Sequence, residues 1–329
     1  MISHLLSKLP EPRPADWGFK VSVCIAVRYS SRNAKDRLIL VTDNRVAFGD
    51  FSGEYISIKQ RALWHSWDVM FAGNDVEHAE PIMRVAKANM IALAKKKSPG
   101  DVIAPEEATD IVDAAYSEHL QAQIENKILR KRQFTSESFK KLGKLKCTPE
   151  VYAKVWDQIG KEHFSLHFLV TGHTKNGEAQ IWLVDGENAP VSYNTIGFWA
   201  IGKGAPAALS RIALYLSKYK QFTSLEEALY VAVTAKFAAE CASDVGRSTA
   251  AVIFKHFWEE DDAIPLSDAA IDLLRFSWDR HGVPPVPKIH IKGLRKYLPI
   301  QAAHITKELE SAIKRQTKRS GSQKSKPGQ

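Results

Sequence analysis

The fold is decided by two short runs of sequence, VSVCIAVRY at positions 21–29 and RLILVT at positions 37–42. Both runs are rich in β-branched and apolar residues, and the polar segment 30–36 separates them, which predicts a β-hairpin. Two more β-like runs follow at 55–65 and 67–72. Turns are indicated by Gly49 and Gly53 before these runs and by Gly73 after them. Strands are therefore predicted to dominate the first quarter of the chain.

The spacing of apolar residues then changes from that of a strand to that of a helix. Segments 76–96 and 105–132 have helical spacing, and the second opens with Pro105 followed by two glutamates, as helices often do. A polar, basic stretch and a further helix, which opens at Thr148 and Pro149 and ends near 161, follow. We interpret 130–161 as a helical insertion.

The order of strands and then helices is repeated in the second half of the chain. The predicted elements are strands at 163–172, 178–184 and 198–201, helices at 205–218 and 224–242, and a last core strand at 249–257. Such an order favours two stacked sheets over an alternating βαβ design. The predicted fold class is α+β, a four-layer αββα sandwich of two antiparallel sheets flanked by helices, with a helical insertion and a helical C-terminal extension.

These elements divide the chain into four parts. Residues 1–20 form an N-terminal extension or propeptide, 21–258 the sandwich domain with its insertion, 259–312 a helical extension, and 313–329 a disordered basic tail. The net charge is +9, and six positive charges without an acid lie in 313–329, which leaves +3 for the rest. A Lys/Arg-rich end is usually solvated chain, so we expect the tail to be solvated rather than to bind nucleic acid.

The cysteines and the lack of a long apolar run indicate the cellular compartment of the protein. The three cysteines are Cys24, Cys147 and Cys241. Their scattered positions indicate neither a disulfide framework nor a zinc site, which fits a reducing compartment. Residues 1–17 contain three prolines and no long apolar run, and no later stretch is long enough to cross a bilayer. We expect a cytoplasmic protein with no membrane partner.

His163, His167 and His173 are spaced along a predicted β run and are the candidate metal ligands. His163 and His167 share a face of a predicted strand, but no carboxylate accompanies them in that run. The sequence therefore predicts no metal and no other cofactor.

The segment LILVTDNRV at 38–46 resembles the second strand of proteasome β subunits and of their bacterial two-ring heat-shock relative, which ends in an aspartate, a small polar residue and an arginine. Lys59 lies 16 positions after Asp43, and Gly73 lies 14 positions after Lys59, as in that family. The similarity extends over about 21–257, interrupted by the insertion, and includes the hairpin at 168–185, the glycine turn at 200–204 and the helix 224–242 followed by Asp244.

The resemblance implies an N-terminal-nucleophile hydrolase, in which one N-terminal residue supplies both the nucleophile and the general base. Ser22 is similar in position to the family's N-terminal threonine, and removal of residues 1–21 would expose it. The resemblance implies that Lys59 lowers the pKa of the hydroxyl, that Asp43 holds the lysine, and that the N–H of Gly73 stabilises the oxyanion. Asp244 completes the implied site. Peptide or amide bonds would be the substrate, in a homo-oligomer that an unfoldase could serve.

Two alternatives remain open at this point. Cys24 is a second candidate nucleophile, because it shares a strand face with Ser22. The chain also departs from the family: Val21 stands where processed members have a glycine, and Lys203 and Arg247 stand where serines support the site. The alternative function is therefore a catalytically inactive proteasome-like scaffold or interaction protein, in which the charged pair is structural.

Overall fold

The computed structural model describes residues 19–20, 23–31, 34–43, 45–48, 51–54, 59–64, 66–98, 101–242, 245–255 and 263–282. Its strands are β1 (Phe19–Lys20), β2 (Cys24–Ser31), β3 (Ala34–Asp43), β4 (Arg45–Phe48), β5 (Phe51–Glu54), β6 (Gln60–Trp64), β7 (Trp67–Gly73), β8 (Leu166–His173), β9 (Ala179–Val184), β10 (Val191–Ser192), β11 (Phe198–Ile201), β12 (Thr249–Phe254) and β13 (Ala263–Pro265). Its longer helices are α1 (Ala79–Ala94), α2 (Pro105–Ile124), α3 (Ser136–Lys146), α4 (Pro149–Lys161), α5 (Ala205–Tyr219), α6 (Leu225–Ala239) and α7 (Asp268–His281).

Two antiparallel sheets of five strands form the centre of the fold. The first sheet has the order β11-β2-β3-β12-β13 and the second the order β10-β9-β8-β7-β6. Within the first sheet, β2 and β3 form the predicted hairpin, with Cys24 opposite Thr42. Strands β1, β4 and β5 form a separate three-stranded sheet. The predicted α+β class with two antiparallel sheets is therefore confirmed.

Alternation along the strands gives each sheet an inner and an outer face. Successive side chains of a strand point to opposite faces, so one strand contributes to two cores. The inner core between the sheets contains Cys24, Ala26, Leu38 and Leu40 of the first sheet, and Met70, Ala72, Leu169 and Ile181 of the second. The intervening residues of the same strands, such as Ile25 and Ile39, lie in an outer core. These runs are apolar on both faces because both faces are covered.

Helices cover the outer face of each sheet. Helices α5 and α6 cover the first sheet, with Ala208, Ile212, Val231 and Ala235 in that core, and Ile271 of α7 joins the same cluster. Helices α1 and α2 cover the second sheet through Ile82, Ala86, Val112 and Tyr116. The layers therefore run helix, sheet, sheet, helix.

The segment 130–161, predicted as an insertion, contains helices α3 and α4, which pack in a small separate core. Phe134, Phe139 and Val155 of this segment form that core together with Ile128 and Leu129, which directly precede it. The sequence predicted α4 but left the stretch before it, which forms α3, as polar and basic chain. Helix α3 begins at a reciprocal Thr135–Ser138 cap. Gly143 lets α3 lie close to α4, because a Cβ there would lie 3.0 Å from the ring of Tyr152 on α4.

Other predictions differ from the structure or lie outside it. The segment 45–54, predicted only as a turn, contains the paired strands β4 and β5. Of the predicted strand 55–65, the described part is β6, Gln60–Trp64. Residues 283–312 of the predicted helical extension, the tail 313–329 and residues 1–18 lie outside the described residues. Among the helices that are described, none combines the length and the apolar composition needed to span a membrane.

Candidate active site

Asp43, at the end of β3, is the centre of a buried polar cluster. Its carboxylate accepts hydrogen bonds from the N–H of Val23 (3.2 Å) and the N–H of Gly246 (2.9 Å). Its side chain has no exposed surface. Because a buried carboxylate is costly unless it is paired and hydrogen-bonded, these donors and the cation described next offset the cost of burying it.

Lys59 supplies the cation. Its Nζ lies 2.5 Å from Oδ1 of Asp43, and neither side chain has any exposed surface. Lys59 directly precedes β6, and its carbonyl accepts a hydrogen bond from the N–H of Phe71 on β7 (3.3 Å). Asp43 belongs to the first sheet and Lys59 to the edge of the second, so the ion pair joins the two sheets at one end of the sandwich.

The chain on the N-terminal side of this pair includes the predicted nucleophile. Ser22 lies outside the described residues, but Val23, which follows it, is bonded twice to Asp43. The N–H of Val23 donates to the carboxylate, and the carbonyl of Val23 accepts from the N–H of Asp43 (3.4 Å). The backbone next to residue 22 is therefore fixed beside the carboxylate that holds Lys59.

The surroundings of Cys24 argue against a role as the nucleophile. Its side chain is fully buried between the sheets, and Sγ donates to the carbonyl of Phe71 (3.3 Å). Burial raises the pKa of this thiol to about 12, and the nearby ammonium of Lys59 offsets only part of that effect. A thiol without access to solvent and with a raised pKa stays protonated at neutral pH and is poorly placed to attack a substrate.

Gly73, the predicted oxyanion residue, ends β7 in a conformation that requires glycine. Its φ is +155°, and a Cβ there would lie 1.9 Å from the carbonyl oxygen of Ser165. By alternation along β7, the N–H of Gly73 points to the same strand edge as that of Phe71, which donates to Lys59. On that edge β6 begins at Gln60, opposite Met70. Among the described residues, β6 therefore does not pair with β7 as far as Gly73.

The turn after α6 reaches the site by its backbone. Asp244 lies outside the described residues, but Gly246, two residues later, donates to Asp43. Lys203 and Arg247, two of the three departures from the resembled family, have exposed side chains. The loops that carry Lys203 and Arg247 pack closely at the site. A Cβ at Gly204, next to Lys203, would lie 3.2 Å from Cβ of Val23 and 2.8 Å from Cγ2 of Val245, two residues before Arg247.

A second buried lysine lies behind Gly246, and the sequence interpretation missed it. Lys236 of α6 has no exposed surface, and its Nζ donates to the carbonyls of Gly246 (2.6 Å) and Arg247 (3.0 Å) and to Glu240 (2.7 Å). Arg275 of α7 pairs with both oxygens of Glu240 at 2.6 Å. The only sequence signal was a lysine inside the apolar run of α6 with a glutamate four residues later.

Within the described ranges, no group of three or more His, Cys, Asp and Glu side chains is arranged to hold a metal ion. His163 and His167 have exposed side chains, and His173 is buried. No protein-family model matches the chain, and no curated protein matches it.

Proposed function

We propose that this chain is a proteasome-type N-terminal-nucleophile hydrolase that cleaves peptide or amide bonds with Ser22 after removal of residues 1–21. The observation that carries the proposal is the fully buried Lys59–Asp43 pair, whose carboxylate is also bonded to the backbone of Val23. A lysine and an aspartate from different sheets, joined next to the residue that follows a candidate nucleophile, have the arrangement that this chemistry requires.

The proposed reaction uses the free amino group of processed Ser22 as the general base. The amine takes the proton from Oγ while Oγ attacks the substrate carbonyl carbon, and the ammonium of Lys59 favours the developing alkoxide. The N–H of Gly73 donates to the oxyanion. The amine then protonates the leaving nitrogen as the C–N bond breaks. Water hydrolyses the resulting ester and restores Ser22.

The alternative is a catalytically inactive scaffold, and one observation favours it. Lys59 and Asp43 have no exposed surface, and the three bonds to the carboxylate leave the pair well satisfied as a structural element. In that case the chain keeps its N-terminal extension and acts by binding other proteins. A peptide or protein substrate, assembly with copies of itself, an unfoldase partner and a cytoplasmic location belong to the hydrolase proposal and rest on the resemblance.

An active-site-directed electrophile separates the two functions. The purified full chain would be incubated with a peptidyl β-lactone, whose ring an N-terminal hydroxyl opens to form an acyl-enzyme. We expect one adduct, mapped by peptide mass spectrometry to residue 22 and absent from Ser22→Ala. Ser30→Ala is the matched control, because Ser30 is an exposed serine of the same strand region, and it should label like the wild type. An unlabelled wild-type chain would support the scaffold.

A further inference from the structure

Lys236 of α6, Glu240 directly after α6 and Arg275 of α7 meet beside the backbone of the Gly246–Arg247 turn. Lys236 donates to both carbonyls of the turn and to Glu240, and Arg275 donates to Glu240 and to the carbonyl of Arg247 (2.9 Å). We call Lys236, Glu240 and Arg275 the Lys236 clamp.

The clamp satisfies the hydrogen-bonding capacity of its central residue. An ammonium has three N–H donors, and Lys236 has three acceptors within 3.0 Å, one of them the charged Glu240. The guanidinium of Arg275 binds both oxygens of Glu240, the geometry in which arginine pairs most strongly with a carboxylate. A fully buried ammonium in an apolar helix is tolerated only with such partners, so the turn has little freedom to move away from the clamp.

The same turn is bonded to the candidate active site on its other side. The carbonyl of Gly246 accepts from Lys236, while the N–H of Gly246 donates to Oδ2 of Asp43 (2.9 Å). Lys59 binds the other carboxylate oxygen, Oδ1. One glycine therefore connects the clamp to the carboxylate that orients Lys59, and the connection runs from α7 through α6 to the end of β3.

We propose that Lys236, Glu240 and Arg275 are positioning residues, which hold the N–H of Gly246 on Asp43 and make α7 a working part of the site. They act through the Gly246–Arg247 backbone. The clamp itself stands on the geometry alone, whereas its effect on reactivity rests on the proposed hydrolase function. Residues 268–279, which the sequence interpretation treated as an appendage, thereby gain a role in tuning the Asp43–Lys59 pair.

The decisive test measures the Gly246 amide directly. Hydrogen–deuterium exchange would be compared in the full-length wild type, Arg275→Gln and Lys236→Met. We expect the Gly246 amide to exchange roughly tenfold faster in both variants, because loss of a charge-assisted bond frees the turn. Arg275→Gln is the milder change, since its side chain is partly exposed, and it keeps the test valid if Lys236→Met does not fold. Unchanged exchange of this amide in folded Arg275→Gln would overturn the proposal.

Matched controls and a second measurement separate positioning from simple destabilisation. Arg130→Gln and Lys141→Met remove exposed ion pairs with Glu125 and Glu137 and should leave the Gly246 amide unchanged. In Arg275→Gln we also expect lactone labelling to slow roughly tenfold, with a shifted pH profile that general instability would not produce. A wild type that never labels would contradict the hydrolase function, while the exchange result would still decide the clamp.

Discussion

At the scale of single residues, the pKa of Lys236 predicts how the free energy of unfolding changes with pH. Burial lowers the pKa of its ammonium from 10.5 to about 8, with Arg275 adding to the effect, while Glu240 and Asp43 oppose it. Between pH 8 and 10.5 the folded chain has released this proton and the unfolded chain still binds it. The contribution of Lys236 to the free energy of unfolding therefore rises with pH in that window, by at most about 1.4 kcal/mol per pH unit.

Urea unfolding at several pH values checks this expectation. The free energy of unfolding of the wild type minus that of Lys236→Met should be constant below pH 8 and increase above it. Lys141→Met, which removes an exposed lysine, should show no such change. A difference curve that stays flat to pH 10 would mean that Lys236 titrates normally in the folded chain.

The Lys59–Asp43 pair should show strong coupling in a double-mutant cycle. Lys59→Met leaves the carboxylate of Asp43 buried without its cation, so we expect a loss of about 3–5 kcal/mol of unfolding free energy. Asp43→Asn should also destabilise the fold, because it removes the counterion of Lys59. The double variant should lose at least ~1 kcal/mol less than the sum of the single losses. Additive losses, measured by urea denaturation, would show that the pair is not a coupled unit.

The cysteines offer a direct comparison of exposure. Cys24 is buried and its thiol has a pKa of about 12, whereas Cys241 is exposed. In the native chain at pH 8, a thiol reagent should modify Cys241 rapidly and leave Cys24 unmodified until the chain is unfolded. Cys24→Ala should retain any lactone labelling, and Cys241→Ser should lose the rapid modification. Modification of Cys24 in the folded chain would reopen its candidacy as a nucleophile.

At the scale of elements, the helical insertion should behave as a local unit. Phe139 is almost fully buried and stacks on Tyr152. We therefore expect Phe139→Ala to lower the free energy of unfolding of the insertion by about 3–5 kcal/mol. Because the insertion has its own core, we expect faster hydrogen exchange in α3 and α4 and unchanged exchange in β2 and β3. Leu145→Ala, at an exposed side chain of α3, is the control and should change neither. Equal loosening of β2 and β3 would contradict a separate core.

The sequence predicted some elements better than others for physical reasons. The hairpin of β2 and β3 and helices α2, α5 and α6 have strong periodic patterns or capping residues, which act locally. Helix α3 was missed, because lysines outnumber apolar residues in Ser136–Lys146 and its one buried face depends on packing against α4. The pairing of β4 with β5 was hidden in a segment whose glycines predicted only a turn.

At the scale of the whole molecule, the candidate site depends on contacts that the sequence could indicate only in part. The 16-residue interval from Asp43 to Lys59 predicted their relation by resemblance, and the structure places the two side chains together. Lys236, Glu240 and Arg275 have no such signature, since their meeting depends on how α6 and α7 pack beside the end of β3. A buried charge looks like any other charge in the sequence, and only the fold reveals its cost.

We propose that the two sheets assemble a site around a nucleophile that the chain exposes by its own cleavage. The measurement that tests it most directly is the intact mass and N-terminal sequence of the purified protein, beside Ser22→Ala and Lys59→Met. We predict a wild-type chain that begins at Ser22, with residues 1–21 retained in both variants, and a Cys24→Ala chain that is processed normally. A wild-type chain that keeps residues 1–21, identical in its N-terminus to the variants, would contradict the hydrolase account.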